Sequence, residues 1–144
     1  MIPRTILIAV ESFDEGIDAQ RAGAAIGRGL QAGDPSLGVD LCPIEPADGQ
    51  DVKGLLEGLD FDARMRAARA VVVGTERLDE RTLLASAVFE VATRARQAGV
   101  PGYAVAGENA LSLFDARILD LQVILQARST RALRKAGEEL AGLV

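Results

Sequence analysis

Glu11, Asp14, Glu15 and Asp18 place four carboxylates within eight residues. If the chain brings them round one point, they could build a divalent-cation site or an acid and base pair, with Glu11 and Asp14 as the cation ligands. The same residue types also serve a plainer purpose. Beside the first turn of a helix, the partial positive charge favours each Asp or Glu by about 0.3 to 1 kcal/mol, and Asp18 is placed to cap such a helix. A second candidate is the stretch Gly74-Thr75-Glu76-Arg77-Leu78-Asp79-Glu80-Arg81-Thr82, which follows the apolar run Ala70-Val71-Val72-Val73. A strand that turns into a helix aims backbone N–H groups at an anion. Asp79 followed three residues later by Thr82 is also an ordinary helix cap, and spacing alone favours the cap.

Much chemistry is excluded by what the sequence lacks. It contains no histidine, so a Ser-His-Asp triad, a Cys-His dyad, an HExxH zinc helix and a histidine base cannot be built within it. Cys42 is the one cysteine, which rules out an internal disulfide and a thiolate-rich zinc site and fits a reducing, cytoplasmic home. Nothing near Cys42 in sequence lowers its pKa, so it reads as a small buried hydrophobe. Tyr103 reads as core. No GxxxxGK[ST] loop is present, which excludes a P-loop NTPase. Gly23, Gly27 and Gly29 lie inside a helical period, so they read as sites of close packing against a sheet rather than as a phosphate loop. The charge of −5, with no dense Lys/Arg block, argues against a nucleic-acid partner. Neither a secretion signal nor an 18-residue apolar run is found, so a soluble chain with no membrane partner is expected. Arg128, Arg131, Arg134 and Lys135, followed by Glu138 and Glu139, read as a solvated helix face with i,i+4 pairs.

The elements that must position these residues follow from periodicity. The 144 residues fit one domain spanning 1–144, with ordinary hydrophobic (49%) and charged (26%) content. Thr5 to Val10 is a continuous apolar, β-branched run, typical of a strand covered on both faces. Residues 19 to 32 carry Ala, Ile and Leu at helical spacing until Gly33-Asp34-Pro35. Further strands are predicted at 37–42, 70–74, 102–106 and 120–125, and helices at 81–97 and 130–143, the former opened by the 74–82 turn. Residues 44–60 are irregular, interrupted by Pro46, Gly49, Gly54 and Gly58. Strands alternating with helices predict an α/β three-layer sandwich of the Rossmann or flavodoxin-like kind, with a mainly parallel sheet of about five strands. Ligands in such folds collect beyond the carboxyl ends of the strands, which places the default site at turns starting at Glu11, Pro43, Gly74 and Gly107.

Several of these segments together resemble one family. Ala9-Val10-Glu11-Ser12-Phe13, continuing to Ala19, is similar to the APDSFKGSLSA opening of bacterial glycerate kinases. Cys42-Pro43-Ile44 with Ala47-Asp48-Gly49 resembles their CPMADGGEGT turn. Leu59-Asp60-Phe61-Asp62, Val71-Val72-Val73-Gly74, Arg77-Leu78-Asp79, Thr82-Leu83 and Ala98-Gly99-Val100-Pro101 to Ala106-Gly107 resemble the LDF…ADLVITGEGRLDAQT…GVPVIAIAG segment. The resemblance implies ATP and Mg²⁺ as cofactors wherever kinase activity is retained. It implies Asp48 as the catalytic candidate, and Glu11, Ser12, Asp48, Gly49, Gly74, Asp79 and Thr82 as the substrate-binding set. It also implies two lobes, because the family carries a large domain between the second and third of these segments. Here about ten residues, Gln50 to Leu59, stand in that place, so the chain resembles the α/β domain alone.

The departures from the pattern bear on activity. Asp14 stands where the family has the lysine of SFKG. At about 4 Å and an effective dielectric near 20, unit charges interact by roughly 4 kcal/mol, so attraction for an anion becomes repulsion unless a divalent cation restores the sign. Thr75, Glu76, Glu80 and Arg81 replace Glu, Gly, Ala and Gln of GEGRLDAQT. Ala85-Ser86 replaces the following GK, and Gln50-Asp51-Val52 replaces Gly-Glu-Gly. The expectation is a glycerate-kinase-related chain that is not a competent kinase by itself and keeps a weak small-molecule or anion site. Two alternatives stand beside it. One is a minimal or split kinase completed by a homodimer or a separate second-lobe chain; the other is a non-catalytic oligomerisation module with an exposed apolar face.

Overall fold

The computed structural model describes residues 3–14, 16–45 and 51–144. Its centre is a parallel sheet of five strands, β1 (Thr5–Val10), β2 (Gly38–Pro43), β3 (Ala70–Leu78), β4 (Gly102–Asn109) and β5 (Ile124–Gln126), in the spatial order β2-β1-β3-β4-β5. This is the flavodoxin-like order, an α/β three-layer arrangement. The chain passes from β1 through α1 (Ala19–Gly33) to β2 on one side. It returns through α2 (Val52–Gly58) and α3 (Phe61–Arg66) to β3 on the other side of β1. Right-handed crossovers in opposite directions put helices on both faces.

Alternation along each strand divides the core accordingly. Ile6, Ile8, Val10 and Val72 pack with Ala22, Ile26 and Leu30 of α1 and with Leu133 and Leu140 of α6 (Thr130–Ala141). Leu7, Ala9, Val71 and Val73 pack with Leu56, Phe61 and Met65 from α2 and α3, and with Val88 and Val91 of α4 (Ala87–Ala98). Strands buried on both faces have no polar side to alternate with, which is why β1 and the start of β3 read as unbroken apolar runs.

Three glycines of α1 have separate uses. A Cβ on Gly23 would lie 3.2 Å from Val10, and one on Gly27 would lie 3.0 Å from Val39, so both let the helix sit close on the sheet. Gly29 instead faces α6, where a Cβ would run into the Arg134 carbonyl. Tyr103 is buried and donates its hydroxyl hydrogen to the Leu143 carbonyl at 3.1 Å, and Cys42 is fully buried. Burial pushes the Cys42 thiol up from its ordinary pKa, consistent with an inert side chain.

The structure corrects several boundaries. β3 runs on to Leu78 and β4 to Asn109, because Thr75 pairs with Ala106 and Arg77 with Glu108 across the two strands. Their carboxyl ends therefore lie at Asp79 and Ala110, not at Gly74 and Gly107. The expected helix at 81–97 is a 3-10 turn, Glu80–Leu83, followed by α4, which Ser86 caps by accepting from the Phe89 N–H. The longest described helix is α1, and the 74–82 stretch does not open it. The fifth strand is β5 at Ile124–Gln126 rather than 120–125. The short helix α5 (Leu113–Leu119) precedes it where no element was predicted. Part of the irregular 44–60 stretch forms α2, capped by Asp51. Among the described residues no helix is long and apolar enough to cross a membrane.

Candidate functional site

In the order β2-β1-β3-β4-β5 the connections leave in opposite directions from β1 and β3, so the crevice beyond the carboxyl ends of these two strands is the expected ligand position. Glu11 stands there. Its backbone N–H donates to the Gly74 carbonyl at 2.9 Å, tying the loop after β1 to β3. Burial raises the pKa of its carboxyl, against a hydrogen bond with the Thr75 side chain that pulls the other way. Ser12 is exposed. Phe13 is buried as the anchor of the loop and leaves Asp14 at the surface. The loop closes with Ile17 N–H donating to the Asp14 carbonyl and Phe13 N–H to the Ile17 carbonyl, both at 3.0 Å, through Gly16 at φ +87°. Gly74 is buried beneath it, and a Cβ there would meet Val10 at 2.5 Å and Phe13 at 3.1 Å, so its small size makes room for the anchor.

A cavity of about 160 Å³ opens beside this loop. It is lined by Phe13 and Asp14, by Glu76 and Arg77 of β3, by Gly107 and Glu108 of β4, and by Arg128 from the segment after β5. Gly107 is required by close approach, since a Cβ on it would come within 2.5 Å of the Glu76 carbonyl oxygen. Arg77 donates from Nε to Asp79 at 3.0 Å and from Nη1 to Glu108, and these carboxylates hold the guanidinium charged. Arg128 donates to the Gly107 carbonyl at 2.8 Å, with Nη2 3.8 Å from Glu108. Both arginines at the cavity are thus paired with Glu108, while Asp14 and Glu76 add two further acids. A second, shallower groove of about 540 Å³ lies next to it, lined by Arg77, Asp79, Glu80, Arg81, Ala110, Ser112 and Asp115.

Asp79 and Thr82 form a reciprocal cap. The Asp79 carboxylate accepts from the Arg81 N–H at 2.9 Å, and the Thr82 hydroxyl oxygen accepts from the Asp79 N–H at 3.0 Å. Hydrogen bonding to Arg77 holds the Asp79 carboxyl below its ordinary pKa. The cap reading of this pair therefore describes its geometry, and Thr82 is buried. Asp18 caps α1 by accepting from the Arg21 N–H at 2.8 Å. Among the described residues no group of three His, Cys, Asp or Glu side chains could hold a metal ion. Glu15, Asp48 and Gly49 lie outside the described residues. The structure thus gathers Glu11, Ser12, Gly74, Asp79 and Thr82 at one end of the sheet, with Asp14 at the cavity.

Sequence reasoning does not single out Glu108, and it reads Arg128 as part of a solvated helix face. They meet Arg77 only through the sheet, at separations of 31 residues for Glu108 and 51 for Arg128 (128 − 77). The signal that finds them is position at the carboxyl end of β4 for Glu108 and just after β5 for Arg128, at the edge where ligands collect.

A family model described as the glycerate kinase family matches residues 49–143. No curated protein matches the sequence. Eight solved chains match. One is a crystal structure from Salmonella typhimurium LT2 that carries the name glycerate kinase 2, at 16% identity and a TM-score of 0.48, over 64% of this chain and 25% of that one. The chain therefore spans about a quarter of the length of that structure. β3, the 3-10 turn with its Asp79–Thr82 cap, β4 and the Arg77–Glu108 pair all fall within the stretch that the family model matches, and the chain belongs to the glycerate kinase family.

Proposed function

We propose that this chain is a single α/β lobe of the glycerate kinase type that does not phosphorylate glycerate on its own and retains a weak site for a small organic anion at the cavity beside Arg77. The observation that carries the reading is the charge balance at that cavity. Phosphoryl transfer is achieved by positioning and by neutralising charge that develops on the transferred group. Here Arg77 is already paired with Asp79 and Glu108, Arg128 is shared with Glu108, and Asp14 and Glu76 face the same space. A triphosphate meets more acids than free cations. A singly charged carboxylate with hydroxyl groups can exchange with Glu108 for Arg77 at far lower electrostatic cost. In this reading the side chains that line the cavity around Arg77 frame the ligand, Glu11, Ser12 and Asp79 stand at the same end of the sheet, and Asp48 and Gly49 are candidates that the family resemblance alone supplies. If ATP and Mg²⁺ bind, Glu11 and Asp14 are the candidate cation ligands. The setting is the cytoplasm, in keeping with a lone buried thiol.

A thermal-shift titration with ATP, ADP and D-glycerate, each with and without Mg²⁺, tests the reading. Ligand at 100 times its Kd adds about 2.7 kcal/mol, several degrees in Tm for a chain of this size. The expected result is a small shift with millimolar D-glycerate that is lost in Arg77→Ala, and no Mg²⁺-dependent shift with nucleotide. A Mg²⁺-dependent nucleotide shift would overturn it and favour a minimal or split kinase. A second reading, an assembly module completed by a second copy or a separate second-lobe chain, draws on the large apolar side chains Leu84, Leu113 and Phe114, which lie exposed near this end of the sheet.

A further inference from the structure

We propose that the Glu108 carboxylate is a built-in occupant of the cavity beside Arg77, held where an incoming anion would sit, and that it sets the site's preference for singly charged anions. The inference rests on the anion site of the preceding reading. Two guanidiniums converge on one oxygen of this carboxylate. Arg77 donates to Glu108 Oε2 from Nη1, and Nη2 of Arg128 stands 3.8 Å from the same atom. Each guanidinium is pinned through its Nε, that of Arg77 on the Asp79 carboxylate at 3.0 Å and that of Arg128 on the Gly107 carbonyl at 2.8 Å. With Nε engaged elsewhere, the terminal nitrogens are left to meet a third group, and the group they meet is a carboxylate of the same chain. Arginines fixed in this way suit recognition of a carboxylate.

Of the two acids on Arg77, Glu108 is the one placed to leave. Asp79 also accepts from the Arg81 N–H at 2.9 Å as the cap of the 3-10 turn, and its side chain is 27% exposed. Among the described residues the Glu108 side chain is engaged only by the two arginines, and it is 45% exposed. Arg77 and Glu108 are register partners on adjacent strands, so the contact is made and broken by side-chain rotation while both backbones stay in the sheet. An ion pair this exposed is worth little, and a ligand displaces it at small cost. The displaced carboxylate remains tethered beside the ligand and repels it in proportion to the ligand's own charge. Asp14, Glu76, Asp79 and Glu108 together already outnumber Arg77 and Arg128. A singly charged anion that replaces Glu108 on the arginines adds little to that imbalance, whereas a more highly charged phosphate adds more.

NMR titrations of the isotope-labelled chain with D-glycerate and with inorganic phosphate test this. Glu108→Gln is expected to tighten D-glycerate binding by about two- to five-fold, and phosphate binding by a larger factor, with both gains lost in the double variant Arg77→Ala/Glu108→Gln. Glu76→Gln removes a charge from the same cavity without touching the ion pairs of either arginine, and it is expected to give a smaller gain with each anion. A merely structural ion pair would lose affinity when broken, not gain it. The amide spectrum reports the fold of each variant, and Glu108→Ser is read in the same way if Glu108→Gln does not fold. Unchanged or weaker binding in Glu108→Gln overturns the proposal, as does an equal gain in Glu76→Gln or a gain with phosphate no larger than with D-glycerate. If the wild-type chain binds D-glycerate through Arg77 and Glu108→Gln gains nothing, the anion site stands and the built-in occupant falls. If only Glu108→Gln binds, the occupant stands and the weak site of the wild-type chain falls; if neither binds, both fall.

Discussion

At Glu11 two effects oppose each other: burial disfavours the carboxylate, and the Thr75 hydroxyl favours it. Burial is the larger, so the folded chain holds this proton more tightly than the unfolded chain, where a glutamate titrates near about 4.3. Stability from this group is present at acid pH and is lost as pH rises from the ordinary value through the raised one. Glu11→Gln keeps an acceptor for Thr75 and removes the buried charge. It is expected to raise the Tm at neutral pH, with the gain vanishing in acid, as followed by thermal denaturation of both proteins across that range; a gain that does not depend on pH would contradict it. The site was legible in the sequence to the extent that its residues end strands. Glu11 follows an apolar run and is found that way, and Asp79 and Thr82 are found by their three-residue cap spacing. Glu108 and Arg128 join Arg77 only after the sheet sets β4 between β3 and β5, and no local pattern carries that register.

Among the elements, the crossing of α1 and α6 has the least tolerance. Ala is a better helix former than Gly by about 1 kcal/mol, but a Cβ on Gly29 would strike the Arg134 carbonyl, and one on Gly137 the Ile26 carbonyl. Backbone cannot yield as a side-chain end can, so the clash outweighs the propensity. Gly29→Ala is expected to destabilise by about 2 to 3 kcal/mol, roughly 5 to 10 °C in Tm at this length. Gly58→Ala, at the end of α2 with open space around it, is expected to change stability by less than about 1 kcal/mol, and upward. Thermal melts of the two variants side by side check both; equal effects would show that the crossing is not the tight point. Strands buried on both faces were legible from composition, since they need apolar residues at every position. The second half of β3 was not, because Thr75, Glu76 and Arg77 are polar and are held extended by pairing with β4. α5 was hidden for the opposite reason: its apolar residues face water and form no single buried stripe. β5 is three residues at the sheet edge, with polar neighbours that blur its start.

For the whole molecule the question is how much of the family's chemistry these 144 residues hold. The fold presents the carboxyl ends of β1, β3 and β4 as a site, yet it lines the cavity there with acids that already claim the arginines. Phosphoryl transfer also calls for water to be excluded from the reacting groups, which on the proposed reading this chain does not do by itself. The most direct measurement is steady-state ATP turnover with D-glycerate by the purified 144-residue chain, run with Asp48→Ala as control. The expected result is no phosphoglycerate above the control at any protein concentration. Glycerate-dependent turnover that disappears in Asp48→Ala would contradict the account and make this chain an enzyme in its own right.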